Sequence, residues 1–454
     1  MRGKSTRAAR PAAAVATSLA VALAVAVVVS AEGCSPAPPE ERAAKVVLIG
    51  WDGATWDVIR PMLERGELPV LGGLIEGGGR GVLMAEPPLL SPVVWTTLAT
   101  GFSPREHGIT GFELADPTSG APVLASSFHR RRAALWQMVS AGGKEVGFVG
   151  WWSSWPAEPV EGYLVSDHLA YNRWDDWATR GNKERAGAFQ LTFPTELADE
   201  LGPHAVPPGD VGVETIGALA AFDEDEAREM MEAERPVMFH APSVVRYGYS
   251  TDASNQSFAE YLLESRAQPD LFSITYILSD VAGHVFWHRY EPELYPGADR
   301  HDDRLRDAIP NVYRQLDLWT GEILDRIAPD STVIVLSDHG MGAKRVLPRP
   351  GVNPAGDHTP EGIFVISGPG IPQGSNLGVL RQIDLAPTVL AMLDLPVGED
   401  MPGRVVLAAL PEGAYAEPQW IPSYGEGGEE LYPEGLSPAD EEYKDRLRAL
   451  GYIR

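Results

Sequence analysis

Apolar and polar positions along the chain alternate between short unbroken apolar runs and stretches of helical period. VVLIG at 46–50 is the pattern of a strand buried on both faces. The signal recurs at 144–149 (KEVGFV), 271–278 (LFSITYIL), 332–336 (TVIVL) and 362–366 (GIFVI). Between these runs the pattern predicts helices from about Thr55 to Arg65 and from Pro310 to Ile327. Around the second, Ile309, Val312, Tyr313, Leu316, Ile323 and Ile327 form one apolar stripe. Strands separated by helices predict an α/β protein: a three-layer α/β/α sandwich around a central, mostly parallel sheet. Residues 151–265 break the rhythm with WWSSWP, YNRWDDW and a loop-rich acidic stretch, and read as an inserted region that caps or flanks the site. Trp151, Trp152, Trp155, Trp174 and Trp177 fall there; packing of the insertion is the preferred reading, an aromatic lip for a substrate the sharper one. The main domain is expected over 45–410, followed by a linker and C-terminal helix over 411–454. Ser437 would be N-cap of that helix, Pro438 its first residue, Asp440 the capping acid and Gly451 the stop.

Composition narrows the setting. A chain of 454 residues exceeds one ordinary core, and 44% hydrophobic with 22% charged residues describes a folded protein rather than a disordered one. A formal net charge of −26 argues against binding a nucleic-acid backbone, which needs clustered Lys and Arg. Arg2, Lys4, Arg7 and Arg10, then an Ala/Val run from Ala12 to Val29, follow the grammar of an export signal, placed at 1–33. The string AEGC ends on Cys34, the single cysteine, and resembles a bacterial lipoprotein cleavage box; residues 34–44 would be a Pro/Glu-rich tether. An ordinary secretory signal and an uncleaved anchor are the alternatives. Each puts the body outside the cytoplasm; the favoured one places it in the cell envelope, lipid-anchored through Cys34 and touching membrane only through the N-terminal lipid or anchor. With one cysteine, any metal must be held by Asp, Glu and His.

The candidate chemistry lies at the ends of the apolar runs. VVLIG precedes Asp52, LFSITYIL precedes Asp280 and TVIVLS precedes Asp338, and ligands of open α/β sheets collect beyond the carboxyl ends of strands. Asp280 and His284 in DVAGH are four residues apart, so a helical turn puts both on one face. Asp338 and His339 are adjacent in SDHGMG, and His358 stands in a polar loop, GDHTPEG. In SPVVWTTLATG, Ser91 suits an N-cap, Pro92 the first helical position and Gly101 the exit. That places Ser91 at the positive end of a helix, where an alkoxide or a phosphate oxyanion is stabilised; a plain capping serine is the alternative. Together Asp52, Ser91, Asp280, His284, Asp338, His339 and His358 read as one two-metal pocket whose hard donors suit zinc or a similar divalent ion. Three converging carboxylates without cations would repel and take up protons. Two divalent ions would leave a surplus positive charge, matched to a phosphoryl group and a serine alkoxide. Ser91 is the candidate nucleophile.

The ordered strings VVLIGWDGATWD, LPVLGGLIEGGGRG, SPVVWTTLATGFSPREHGI, SDVAGH, LSDHGMG, GDHTPEGIFVISGPGI and DLAPTVLAMLDLP resemble the alkaline phosphatase superfamily, and within it the type I phosphodiesterase/nucleotide pyrophosphatase family. The resemblance spans about 45–150 and 270–400 and implies an alkaline-phosphatase-like fold. It implies one zinc on Asp280, His284 and His358, another on Asp52, Asp338, His339 and the Ser91 oxygen, and a covalent phosphoserine on Ser91. The implied activity is hydrolysis of a small organic phosphate ester, a diester before a monoester. A phosphomonoesterase, a sulfatase-like hydrolase and a non-catalytic ligand-binding lipoprotein are the alternatives. His107 in REHGI matches a family string and reads as structural. The family pattern of Thr, aromatic, Pro, Asn is replaced here by Ser91, Pro92, Val93 and Val94, so the phosphoryl-binding Asn is missing. Lys344, Arg345, Asn353 and Arg289 are candidates to replace it. Val93 and Trp95 stand where sulfatases carry Pro and Arg.

Overall fold

Every residue of VVLIGW at 46–51 is buried, and the reason is its place in the middle of a sheet. In the computed structural model the described residues are 45–115, 120, 122–171, 190–220, 223–231, 241–298, 305–349, 354–410 and 419–425. The chain divides into two units, Met1–Arg42 and Ala43–Arg454, and the first lies wholly outside the described residues. Also outside them are the tether 34–44, Trp174, Trp177, Asn353 and the helix expected between Ser437 and Gly451.

Nine strands form the central sheet. In chain order they are β1 (Val46–Trp51), β2 (Gly78–Met84), β3 (Val146–Trp151), β4 (Gly162–Ser166), β5 (Thr192–Phe193), β6 (Leu271–Tyr276), β7 (Thr332–Leu336), β8 (Glu361–Ser367) and β9 (Ser375–Arg381). Across the sheet they run β9-β2-β8-β7-β1-β6-β3-β4-β5. Strand β1 is parallel to both neighbours, with Val46 opposite Leu271 on β6 and Thr332 on β7. Only β8 and β5 oppose the common direction, so the sheet is mixed but mostly parallel, with helices on both sides. Both faces of β1 are therefore covered, which demands the continuous apolar run; full burial of Val46, Val47, Leu48 and Ile49 contributes roughly 1.5–3 kcal/mol each.

Parallel strands also leave their carboxyl ends on one edge. There α1 (Trp56–Glu64), capped by Thr55, follows β1, and α4 (Leu278–Tyr290) follows β6. Ser91–Thr100 forms α2, and Ala308–Leu324 forms α5, on which Ile309, Val312, Tyr313, Leu316 and Ile323 are buried as the periodicity requires.

Three expectations change. Residues 151–265 are not all insertion: β4 and β5 extend the sheet beyond β3, and Ala241–Ser265 is a long helix, α3, packed on β6 and α4. Strand β2, GGRGVLM, escapes an apolar-run search because it must be glycine-rich; a Cβ on Gly78 would meet Ile366 O at 1.9 Å. His358 sits not in a loop but in a short strand, Gly356–Thr359, paired antiparallel with Gly340–Ala343 so that His358 faces Met341.

Candidate metal centre

Each ligand candidate is delivered by the end of an element. Asp52 is the first residue after β1, its N–H donating to Tyr276 O at 2.9 Å and its carbonyl accepting from Ser279 Oγ at 2.6 Å. Asp280 and His284 lie one turn apart near the start of α4, as their spacing predicts, with His284 Nε2 3.4 Å from Asp280 Oδ1. Asp338 and His339 leave β7; Ser337 Oγ donates to the His339 carbonyl at 2.6 Å, and Gln382 Nε2 donates to the Asp338 carbonyl. The hairpin strands Gly340–Ala343 and Gly356–Thr359 pack on α4 and bring His358 Nε2 within 3.1 Å of Asp280 Oδ1.

The three imidazoles are oriented alike. Nδ1 of His284 faces Gly356 O at 3.2 Å, Nδ1 of His339 faces Gly340 O at 3.0 Å, and Nδ1 of His358 faces Leu89 O. With Nδ1–H donating outward, each ring, once neutral, presents its Nε2 lone pair to the centre. His284 Nε2 and His358 Nε2 stand 2.9 Å apart, a contact that repels unless a proton or a metal ion lies against both. His339 Nε2 lies 3.5 Å from both Asp52 Oδ1 and Asp338 Oδ2. Asp52 Oδ1, both Asp280 oxygens, Asp338 Oδ2, His339 Nε2 and Ser91 Oγ are all buried without a hydrogen-bond partner. Buried polar atoms left unsatisfied are costly, and those of Asp52, Asp280, Asp338 and His339 lie together where one cation could satisfy several.

One ligand atom from each of Asp280, His284 and His358 falls within 4.8 Å of the others, and so does one from each of Asp52, Asp280 and His339. Asp280 thus stands near both groups rather than in one, while Asp338 touches the second through His339.

Charge makes the same demand. Burial, then the Asp280 charge, pushes the Asp52 carboxyl up to about 7. Burial, with Asp52 and Asp280 beside it, holds Asp338 well above the usual carboxyl range. Burial opposes ionisation of Asp280 too, but the surrounding histidines outweigh it and lower its pKa. His358 also loses solvation, yet the adjacent Asp280 carboxylate raises it to about 9, whereas burial pulls His339 down to about 3. Without cations the pocket therefore balances its carboxylates with protons, and divalent ions would take their place.

Ser91 is the first residue of α2, with Leu90 at the N-cap, one position from the expectation. Its hydroxyl caps nothing, which removes the plain capping role. Leu89, two residues before it, accepts from His358, and Trp95, one turn after it, donates to Asp52, so the stretch carrying Ser91 is tied to the pocket on both sides. Val93 N and Val94 N both donate to Leu90 O and Pro92 has no N–H, so the first turn offers an anion its dipole rather than these groups.

The sequence profile described as type I phosphodiesterase / nucleotide pyrophosphatase matches residues 46–346. The chain belongs to this family. A 2,3-bisphosphoglycerate-independent phosphoglycerate mutase of Cereibacter sphaeroides is 28% identical over 176 residues, 38% of this chain, and the match spans only 30% of the mutase. Among solved structures, human ectonucleotide pyrophosphatase / phosphodiesterase 5 aligns at 12% identity over 81% of this chain and 99% of its own, with a TM-score of 0.47. Phosphonoacetate hydrolase from Sinorhizobium meliloti aligns at 17% identity over 66% and 57% of the two chains, with a TM-score of 0.37.

Of the candidates to replace the missing Asn, Asn353 lies outside the described residues, and the other three are placed as follows. Lys344 Nζ lies 3.3 Å from Asp357 Oδ2, and strand alternation puts Asp357 on the face opposite His358. Arg345 adopts a left-handed φ of 61° beyond the hairpin strand, and Arg289 stands in the last turn of α4. His107 is structural, as expected: buried, with Nε2 3.0 Å from Thr97 Oγ1 on α2 and Nδ1 accepting from Ile109 N. Sequence reasoning missed Trp95 and Trp152, whose indole N–H groups both donate to Asp52 Oδ2, at 3.1 and 2.9 Å. Neither an aromatic lip nor plain packing describes Trp152. The sequence signal that could have found it is its place at the exit of an apolar strand.

Proposed function

We propose that the protein is an exported phosphodiesterase that uses Ser91 as nucleophile and two zinc ions, held by Asp280, His284 and His358 and by Asp52, Asp338, His339 and the Ser91 oxygen. The observation that carries this reading is the convergence of unpartnered, buried atoms of Asp52, Asp280, Asp338 and His339, with His284 and His358 beside them. The family supports phosphoester chemistry, and the donor set, carboxylate and imidazole without thiolate, suits zinc. Bound divalent ions would offset phosphoryl charge and favour the ionised serine at neutral pH. The Ser91 oxygen attacks phosphorus, and the bond from phosphorus to the leaving oxygen breaks as the new one forms, releasing an alcohol. Water then cleaves the serine–phosphorus bond and returns the hydroxyl with a phosphomonoester. The substrate is a small organic phosphate diester. The basic N-terminus, apolar run and AEGC string support export and a lipid on Cys34.

Metal-stripped protein reconstituted with zinc should hydrolyse a bis-nitrophenyl phosphodiester faster than the matching monoester, phosphonate or sulfate, and Ser91→Ala should abolish it. Equal rates for wild type and Ser91→Ala would favour a binding protein, and a preference for monoester or sulfate would reassign the substrate class. Mass spectrometry of the mature N-terminus tests the lipid.

A further inference from the structure

We propose that Trp95 and Trp152 form a two-indole clamp that fixes Asp52 as a one-oxygen metal ligand, and that the loop after β3 is shaped to deliver the second indole. This rests on the metal-binding reading above. Two N–H donors converge on the same oxygen, Oδ2, at 3.1 and 2.9 Å. Together they occupy the lone pairs of that oxygen, and Oδ1 is left bare, 3.5 Å from His339 Nε2. Turning the carboxylate would break both bonds at once, so Asp52 can offer only Oδ1.

The clamp arrives from two sides, each separately braced. Trp95 comes from α2; its ring meets Trp151 edge-on at 4.9 Å, and Trp151 Nε1 donates to the Trp95 carbonyl at 3.1 Å. Trp152 comes from the loop after β3, where Ser153 is held at φ 58°, a left-handed conformation that a non-glycine residue adopts at a cost. Asp167 holds that conformation. Its Oδ2 accepts from Ser153 N at 3.0 Å, and its Oδ1 accepts from Trp155 N at 3.1 Å and from Ser154 Oγ at 3.3 Å. Apolar packing alone requires neither a strained backbone nor two N–H groups on one buried carboxylate. A ligand that must present a single oxygen accounts for both, because groups bonded behind a ligand set its orientation and its affinity for metal.

Zinc titrated calorimetrically into metal-free protein tests the clamp. Wild type should bind two ions. Trp152→Phe, which keeps a ring and removes the N–H, should weaken one of the two sites by roughly 10–100-fold and leave the other within about twofold. Trp95→Phe should weaken the same site. Trp136→Phe is the control: it also removes a buried indole N–H, one bonded to Glu158 at 2.8 Å, and should titrate like wild type. Circular dichroism of the metal-free variants reports the fold. Should a clamp variant not fold, the wild type still decides: the indole N–H resonances of Trp95 and Trp152 should shift as zinc is added, and that of Trp136 should not. Two wild-type sites that both Phe variants leave unchanged, equal weakening of both sites, or indole signals blind to zinc would overturn the clamp while leaving the metal centre standing. Wild type that binds no zinc would overturn both.

Discussion

Gly356 offers a direct test of how the hairpin sets the metal geometry. A Cβ there would lie 2.5 Å from Gly283 O and 2.9 Å from Gly283 C, both backbone atoms of α4 between Asp280 and His284. No side chain can swing away, so in Gly356→Ala the hairpin must lift by about 0.9 Å to restore a contact of 3.4 Å. Two bonds span that contact: Ala355 N to His284 O at 2.7 Å, and His284 Nδ1 to Gly356 O at 3.2 Å. Overpacking strain of about 1–3 kcal/mol and the weakening of two hydrogen bonds at about 1 kcal/mol each give a total destabilisation of roughly 3–5 kcal/mol. The larger effect falls on His358, two residues along the same strand. Metal–ligand distances tolerate about 0.2 Å, several times less than the required shift, so zinc affinity should fall by at least roughly tenfold. Calorimetric melting of the metal-free protein and zinc titration measure the two effects separately. Gly73→Ala, where an added Cβ meets nothing within 4 Å, should melt at or above the wild-type temperature. If Gly356→Ala keeps the wild-type melting temperature and affinity, the hairpin is compliant and the contact between Gly283 and Gly356 does not position His358.

Ser91→Ala should lower diester turnover by roughly 10³-fold or more, without lowering the melting temperature, because its Oγ gives up no hydrogen bond. A melting loss of several degrees would make Ser91 a structural residue. His107→Gln should destabilise the protein in a pH-dependent way. Burial, with Arg130 nearby, lowers the His107 pKa from 6.5 to about 3, so the unfolded chain binds the proton first and this contribution is lost as pH falls from 6.5 towards 3. The deficit of the variant should therefore be largest above pH 7 and shrink by up to about 1.4 kcal/mol per pH unit below 6.5; a deficit independent of pH refutes the buried neutral ring.

What could be read in the sequence follows from where the physics is local. The apolar run before Asp52 announces a doubly covered strand because both faces of β1 are buried, and DVAGH announces two candidate ligands on one helix face because four residues make about one turn. Gly-rich β2 and the two-residue β5 were invisible because close strand approach and edge position, not apolarity, define them. The helix at 241–265 has a weak apolar bias, since residues such as Asp252 and Asn255 on it are buried and bonded to the ends of β6.

The site shows the same division more sharply. Ligand identity is a property of residue type, so all seven candidates could be named before any contact was known. Which oxygen of Asp52 faces the pocket is a property of its donors, and these come from positions 95 and 152, far from it in sequence. A tryptophan beside a strand end reads as packing whether or not its N–H has a partner. The distinction appears only when the unused atom is counted: Asp52 Oδ2 is twice bonded and Oδ1 not at all. A buried carboxylate satisfied on one side and bare on the other is poised to accept a cation on the bare side, and that asymmetry, rather than the presence of an aspartate, is what would distinguish a metal ligand from a buried acid.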